Sequence, residues 1–440
     1  MRADFEALVD RLLPSLKAAE VLTCFFEGEE SDFVRFNHGL VRQAGSVRQA
    51  TVRLELVDGR RHASASFTLS GEAEADGAQG LALIEGLRQT LPHLPEDPHL
   101  LYATEVQSTE RVDPERLPEG GEMVQAIVEQ GSGLDLVGIL ASGPIHRGFA
   151  NSLGQRNWFT TSSFHLDWSL YHRADKAVKC GYAGKTWEGA VLERKLSEGR
   201  QQLEVMKRDA LSIDPGSYRA YLAPAALNEI LGLLSWGGFG LKEQRSRRSP
   251  LMRAADGQAS LSPAFSLTEN VAAGVAPGFG CSGFLRPDSV ELFVGGCLTD
   301  SLVSPRSAKE YSVPTNGAGP HEMPDSLELA GGETEMDSVL SELDTGIWIN
   351  NLWYLNYSDR PACRMTGMTR FATFWVEKGE IVAPLEVMRF DDTVYRLMGE
   401  GLVGLTRQQE LVMDAGTYGG RSTSSTRLPG ALVDDLVLTL

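Results

Sequence analysis

The feature that most constrains the fold is a strict period of two along residues 157–171. Phe164, Leu166, Trp168 and Leu170 fall on one face of that run; His165, Asp167 and Tyr171 fall on the other. Side chains alternate across a strand, so the run reads as β with two chemically distinct faces. The pattern recurs. Val52, Leu54 and Leu56 alternate through residues 50–57, and Asp58-Gly59 then turns the chain into residues 62–69. Asp-Gly between alternating runs signals a hairpin, because glycine accepts the positive φ of a tight turn. His38-Gly39 separates residues 33–38 from 40–44, and Lys378-Gly379 separates 371–376 from 381–387. Forty-six glycines in 440 residues suit a chain with many turns.

Helical periods interrupt the strands. Phe5, Leu8, Val9, Leu12, Leu13 and Leu16 share one side of residues 5–22, which predicts an amphipathic helix. Further helices are predicted over 78–91, 123–130 and 391–399, and a charged one over 190–211. Residues 94–122 are rich in Pro, Glu and Asp and read as a surface connection. Strands are expected at 135–142, 148–151, 217–222, 289–294, 347–357 and 432–440. Pro224 opens a helix in which Leu227, Ile230, Leu231 and Leu234 form an apolar face, and Trp236-Gly237-Gly238 closes it. A break at Ser212-Ile213-Asp214-Pro215-Gly216 divides the chain into residues 1–211 and 212–440. The expected class is α+β with two domains. The first is a mixed antiparallel sheet with helices; the second is β-rich, with the Pro224 helix near its centre.

A net charge of −18 argues against nucleic acid and anionic membranes as partners, since both need basic surface. No run approaches the roughly 20 apolar residues of a membrane span. The start, Met1 to Glu6, is acidic and lacks the apolar core of a secretory leader. Cys24, Cys180, Cys281, Cys297 and Cys363 are scattered, odd in number and form no CxxC pair. That is reduced, cytoplasmic usage.

Motifs with possible chemistry each have a plainer reading. Lys179 to Thr186 nearly spells a P-loop, but its first glycine is Lys179 and no helix follows. Gly278 to Gly283 fits GxGxxG, yet Pro277 precedes it and no helix begins after it, so a turn is expected. His321-Glu322 and the pair His165/His172 are the remaining metal candidates; neither makes a complete ligand set, and packed or solvated histidines are expected. Ser422 to Thr426 has no adjacent base. Lys242, Arg245, Arg247 and Arg248 form the one dense basic patch, either a solvated loop or a grip for acidic side chains.

Several segments, in order, carry a resemblance. They are Phe36-Asn37-His38-Gly39-Leu40, the strand Arg61 to Ser66, the turn Ala150-Asn151-Ser152-Leu153-Gly154, the turn Pro314-Thr315-Asn316, Gly346-Ile347-Trp348-Ile349, and the hairpin Trp375 to Pro384. Together they resemble the TldD/PmbA (TldE) family of cytoplasmic metalloprotease subunits along nearly the full chain. The resemblance implies that the helix at Asn228-Glu229-Ile230-Leu231-Gly232-Leu233 stands where the TldD branch has His-Glu-x-x-x-His, with a late cysteine completing its metal site. Here Asn228 and Leu233 replace both histidines. No cysteine follows Cys363, and the tail offers hydroxyls such as Thr417 and Thr423 instead. Amide, isobutyl and hydroxyl groups are not zinc ligands of choice.

The chain is therefore similar to the PmbA/TldE branch, which lacks the metal. That implies a non-catalytic subunit with no catalytic, cofactor-binding or metal-ligating residue of its own. A TldD-type partner would supply zinc in a heterodimer that degrades or matures unfolded or short peptides inside a channel. Two alternatives remain. One is a stand-alone homodimer that binds peptides without cutting them; the other is unconventional catalysis through Glu229 and His321.

Overall fold

Alternating runs become long paired strands. The computed structural model describes residues 1–173 and 176–439. The first sheet contains β1 (Glu20–Asn37), β2 (Leu40–Asp58), β3 (Arg61–Thr68), β4 (Thr109–Val112), β5 (Asp135–Asn151), β6 (Arg156–Arg173) and β7 (Lys176–Gly184). Their order is β3-β2-β1-β5-β6-β4, with β7 also on β6. All pairs are antiparallel except β4 with β6, so the sheet is mixed. His38 and Gly39 take φ of 51° and 70° between β1 and β2, the backbone of a two-residue hairpin turn.

Two pairs of helices cover one face of this sheet. The helices α1 (Arg2–Leu12) and α2 (Ala73–Thr90) lie over β1 and β2, where Phe5, Leu8, Val9 and Leu12 meet Leu22, Phe26, Val52 and Leu54. Two more, α3 (Gly120–Gln130) and α4 (Gly189–Met206), bury Met123, Ile127, Leu192 and Leu196 against Phe164, Leu166, Trp168 and Leu170 of β6. The apolar face of β6 is thus a core face, as its period requires.

The second sheet contains β8 (Gly216–Leu222), β9 (Leu267–Asn270), β10 (Ser289–Val294), β11 (Cys297–Leu298), β12 (Ser326–Leu329), β13 (Gly346–Asp359), β14 (Arg364–Glu377), β15 (Glu380–Pro384), β16 (Arg389–Thr393), β17 (Leu402–Met413) and β18 (Ser425–Leu438). Strand β18 pairs with β16 on one edge and with β8 on the other, so β8-β13-β14-β16-β18 closes into a ring. The helix α5 (Pro224–Ser235) packs against β8, β13, β17 and β18. The two sheets share a core: Tyr221, Trp348 and Phe374 join the cluster around Trp168. The architecture is α+β, with one mixed sheet and one larger sheet. No helix among the described residues is long and apolar enough to cross a membrane.

Three expectations need correction. The first helix stops at Leu12 rather than near residue 22: Pro14 sits in a short 3-10 turn, and β1 begins at Glu20. The helix expected over 391–399 starts later, because Arg389–Thr393 is strand β16; residues 394–395 are helical and a π-helix follows at Arg396–Glu400. Phe390 and Asp392 are buried by pairing with β14, so the tertiary ladder outweighs local propensity. The strand expected at 432–440 starts earlier, at Ser425, and pairs with β17, which the sequence pattern did not reveal.

Candidate functional site

Helix α5 is built for burial on most of its circumference. Pro224 occupies its first turn, where the missing N–H costs nothing. Ala226, Leu227, Ile230, Leu231, Leu233 and Leu234 are all buried. Each fully buried Leu or Ile contributes roughly 1.5–3 kcal/mol of apolar burial. At its end Gly237 takes φ +75° and the Gly238 N–H donates to Leu234 O at 2.9 Å. A Cβ on Gly238 would lie 2.3 Å from that same carbonyl, so glycine is required there.

The exposed stripe of α5 is Ala225, Glu229, Gly232 and Trp236, spaced by one turn. Glu229 is open to solvent, with protein close enough to remove part of its hydration. Desolvation there pushes its carboxyl up from the ordinary range, and the Lys179 ammonium on β7 pulls it partly back. The pull of Lys179 puts Glu229 on the side of α5 toward β7 of the first sheet.

Lys179 belongs to the polar face of that sheet. Its Nζ lies 3.3 Å from Asp167 Oδ2. Asp167 and His165 point the same way on β6, opposite the buried Leu166 and Trp168. His165 is buried, and its Nε2 has no partner among the described residues. Burial and then the Arg421 charge lower its pKa to about 4, so the imidazole is neutral.

Arg421 arrives from the loop between β17 and β18. Its guanidinium donates to Ser163 O at 2.6 Å, Ser163 Oγ at 2.7 Å, Gly143 O at 2.9 Å and Ser31 Oγ at 3.4 Å. Its main-chain N–H donates to Glu29 Oε2 at 3.0 Å. Glu29 also accepts from Ser31 Oγ and Gln49 Nε2, and Gln49 donates to Gly419 O. The loop is thereby pinned to β1, β2, β5 and β6. Burial lowers the Arg421 pKa to about 10, which still leaves it charged.

Of the residues singled out from sequence, Glu229 is exposed, Asn228 is half-buried and Leu233 is buried. The Leu233 carbonyl accepts from Tyr357 Oη at 3.0 Å. Thr417 and Thr423 are half-buried on either side of Arg421. Among the described residues no hydrogen bond joins either threonine to the three helix positions. The last cysteine, Cys363, lies in the core, its thiol pushed up to about 12 by burial. The helix and loop thus offer two carboxylates, Glu229 and Asp414, one amide, hydroxyls and a buried isobutyl group, and no three metal-holding side chains of the His, Cys, Asp and Glu kinds gather among the described residues. That set does not fit zinc, which takes thiolate, imidazole and carboxylate.

The other candidates separate. Glu322 is buried and accepts from Ser304 N and Oγ, both at 2.9 Å, and from Lys242 N at 2.8 Å, so it fixes two loop-to-helix entries. His321 is exposed and lines a cavity of about 850 Å³ with Trp236; Glu229 does not line it. His172 is exposed while His165 is buried. Residues 179–184 belong to strand β7, and 278–283 form a turn in which Gly280 N donates to Phe284 O. Arg421 and Glu29 were not singled out from sequence. An isolated arginine in a Gly/Ser-rich loop carries no period or spacing that marks it.

The two sheets, the closed ring around α5 and the pinned loop define a metallopeptidase-type fold. Residues 215–439 match the PmbA/TldA metallopeptidase C-terminal domain, and the chain belongs to the PmbA/TldD family. TldE from Thermococcus kodakarensis superposes with a TM-score of 0.80 at 14% identity, over 99% of this chain and 100% of that one. A candidate modulator of a DNA gyrase from Thermotoga maritima superposes with a TM-score of 0.78 at 15% identity, over 99% and 100% of the two chains. At such identities the likeness is one of fold. No curated protein matches the chain in sequence.

Proposed function

We propose that this chain is a non-catalytic, TldE-like subunit of a cytoplasmic metallopeptidase that degrades or matures unfolded or short peptides. A TldD-type partner supplies zinc, and with it the activated water for peptide hydrolysis. The observation that carries the proposal is the donor set of α5 and the β17–β18 loop. On the helix Glu229 is the one strong donor facing outward, beside a half-buried amide and a buried leucine, and the loop adds only the Asp414 carboxylate and hydroxyls. Five free, scattered cysteines suit a reducing compartment.

The chain's own residues serve the substrate rather than the bond cleavage. Lys179 on the polar face of β7 acts on the Glu229 charge of α5, and an extended peptide beside them is held through main-chain hydrogen bonds at a strand edge without demanding a sequence. Arg421 holds the β17–β18 loop on that same polar face. The test combines metal analysis with a peptidase assay of the purified chain, alone and with a TldD-type partner. The lone chain is expected to hold no stoichiometric zinc and to cleave nothing, and activity is expected with the partner. Zinc at one equivalent with activity in the lone chain rejects the proposal. Peptide binding with no association to any such partner favours a stand-alone homodimer instead.

A further inference from the structure

The C-terminal end of α5, about two turns beyond Glu229, carries a different surface. The whole chain bears −18, yet residues 242–256 hold Lys242, Arg245, Arg247, Arg248 and Arg253 against only Glu243 and Asp256. This cationic stretch borders the cavity of about 850 Å³. The cavity's apolar lining comes from Trp236, Met252 and Met323; Trp236 is 59% exposed and Met323 40%. Its polar lining comes from Arg247, Arg248 and Arg360 together with Ser249, His321 and one acid, Glu243, so guanidinium groups outnumber carboxylates three to one.

The cations are held in place. Arg247 adopts φ +61°, unusual for a residue with a Cβ, and both its terminal nitrogens donate to Asp256 at 2.7 Å. Arg248 Nη2 donates to Glu243 at 3.1 Å. Arg360 donates to Trp236 O at 2.6 Å and Arg248 O at 2.9 Å, tying the rim to the helix end. The Arg247 and Arg248 side chains still remain 64% and 61% exposed. Guanidinium groups match carboxylates in shape and charge, and an exposed indole offers a flat apolar surface.

We propose that this cavity binds an acidic peptide segment carrying one aromatic or large aliphatic side chain. The apolar side chain lies on Trp236 and Met323; the flanking carboxylates meet Arg247 and Arg248. Charge complementarity within an otherwise anionic chain selects the acidic partner, and the volume is that of a small-ligand pocket. The site is independent of the subunit role, because binding is read on this chain alone.

The experiment is fluorescence anisotropy of the full chain with labelled peptides at low salt. One peptide is Asp/Glu-rich around a central Phe; a second has Lys for each acid; a third has Ser for Phe. A single-stranded oligonucleotide of equal charge is the fourth probe. The acidic Phe peptide is expected to bind at least about tenfold more tightly than the Lys peptide and the oligonucleotide. Arg247→Glu with Arg248→Glu removes that binding, and Trp236→Ala reduces the Phe peptide to the affinity of the Ser peptide. Equal binding of the Lys peptide or the oligonucleotide overturns the proposal, as does unchanged affinity in the double variant. Should the double variant fail to fold, a Phe preference that survives Trp236→Ala overturns it equally.

Discussion

The main-chain N–H of Arg421 donates to Glu29 Oε2 at 3.0 Å, a contact between residues 392 positions apart. It ties the last long loop of the second sheet to the first strand of the first. Four guanidinium bonds from the same arginine spread over β1, β5 and β6. With the Gln49 bond to Gly419 O, these contacts fix the β17–β18 loop on the polar face of the first sheet.

Replacing Arg421 by Ala leaves Ser163 and Gly143 groups unpaired in a buried setting. We expect a loss of about 2–3 kcal/mol, since hydrogen bonds from charged donors are worth that much. Urea unfolding measures it, and limited proteolysis between β17 and β18 reports release of the loop. Unchanged stability together with an uncut loop would show that the clasp is incidental.

His165 sets an acid-side dependence. Its folded pKa, about 4, lies below the ordinary value of 6.5 because burial and then Arg421 disfavour the imidazolium. The unfolded chain therefore binds a proton that the folded chain refuses, and stability is full above about 6.5 and falls as pH drops toward 4. The loss reaches up to about 3 kcal/mol. Urea midpoints at pH 7 and 4.5 should differ less in His165→Asn than in the unmodified chain; equal slopes would contradict this.

Glu229→Gln tests the role of the one outward carboxylate on α5. Desolvation already disfavours its charge, so the neutral isostere should change stability by no more than about 0.5 kcal/mol. Peptidase activity of the chain with a TldD-type partner should be retained. Abolished activity would make Glu229 a catalytic group and reverse its assignment.

Gly143 sits at φ +132°, and a Cβ there would lie 2.2 Å from Glu30 O. Gly143→Ala should cost about 2–4 kcal/mol through strain and backbone displacement. Its carbonyl also receives Arg421, so the effect should be less than additive with Arg421→Ala. A double-mutant cycle by thermal unfolding checks the coupling; strict additivity would deny it.

The sequence by itself determined the elements whose signals are local. The faces of β6, the turns at His38-Gly39 and Lys378-Gly379, and the apolar side of α5 all follow from periods of 2 or 3.6 and from glycine's access to positive φ. It also determined the donor set of α5, because replacing imidazole by an amide or isobutyl group is a matter of composition, not of geometry. Only the tertiary structure decided that Phe390 and Asp392 are strand residues and that β17 pairs with β18. It alone seated Arg421 among Ser31, Gly143 and Ser163. Those outcomes depend on partners far away in the chain. A residue's neighbours in sequence fix which face it occupies, but only long-range pairing fixes what that face meets.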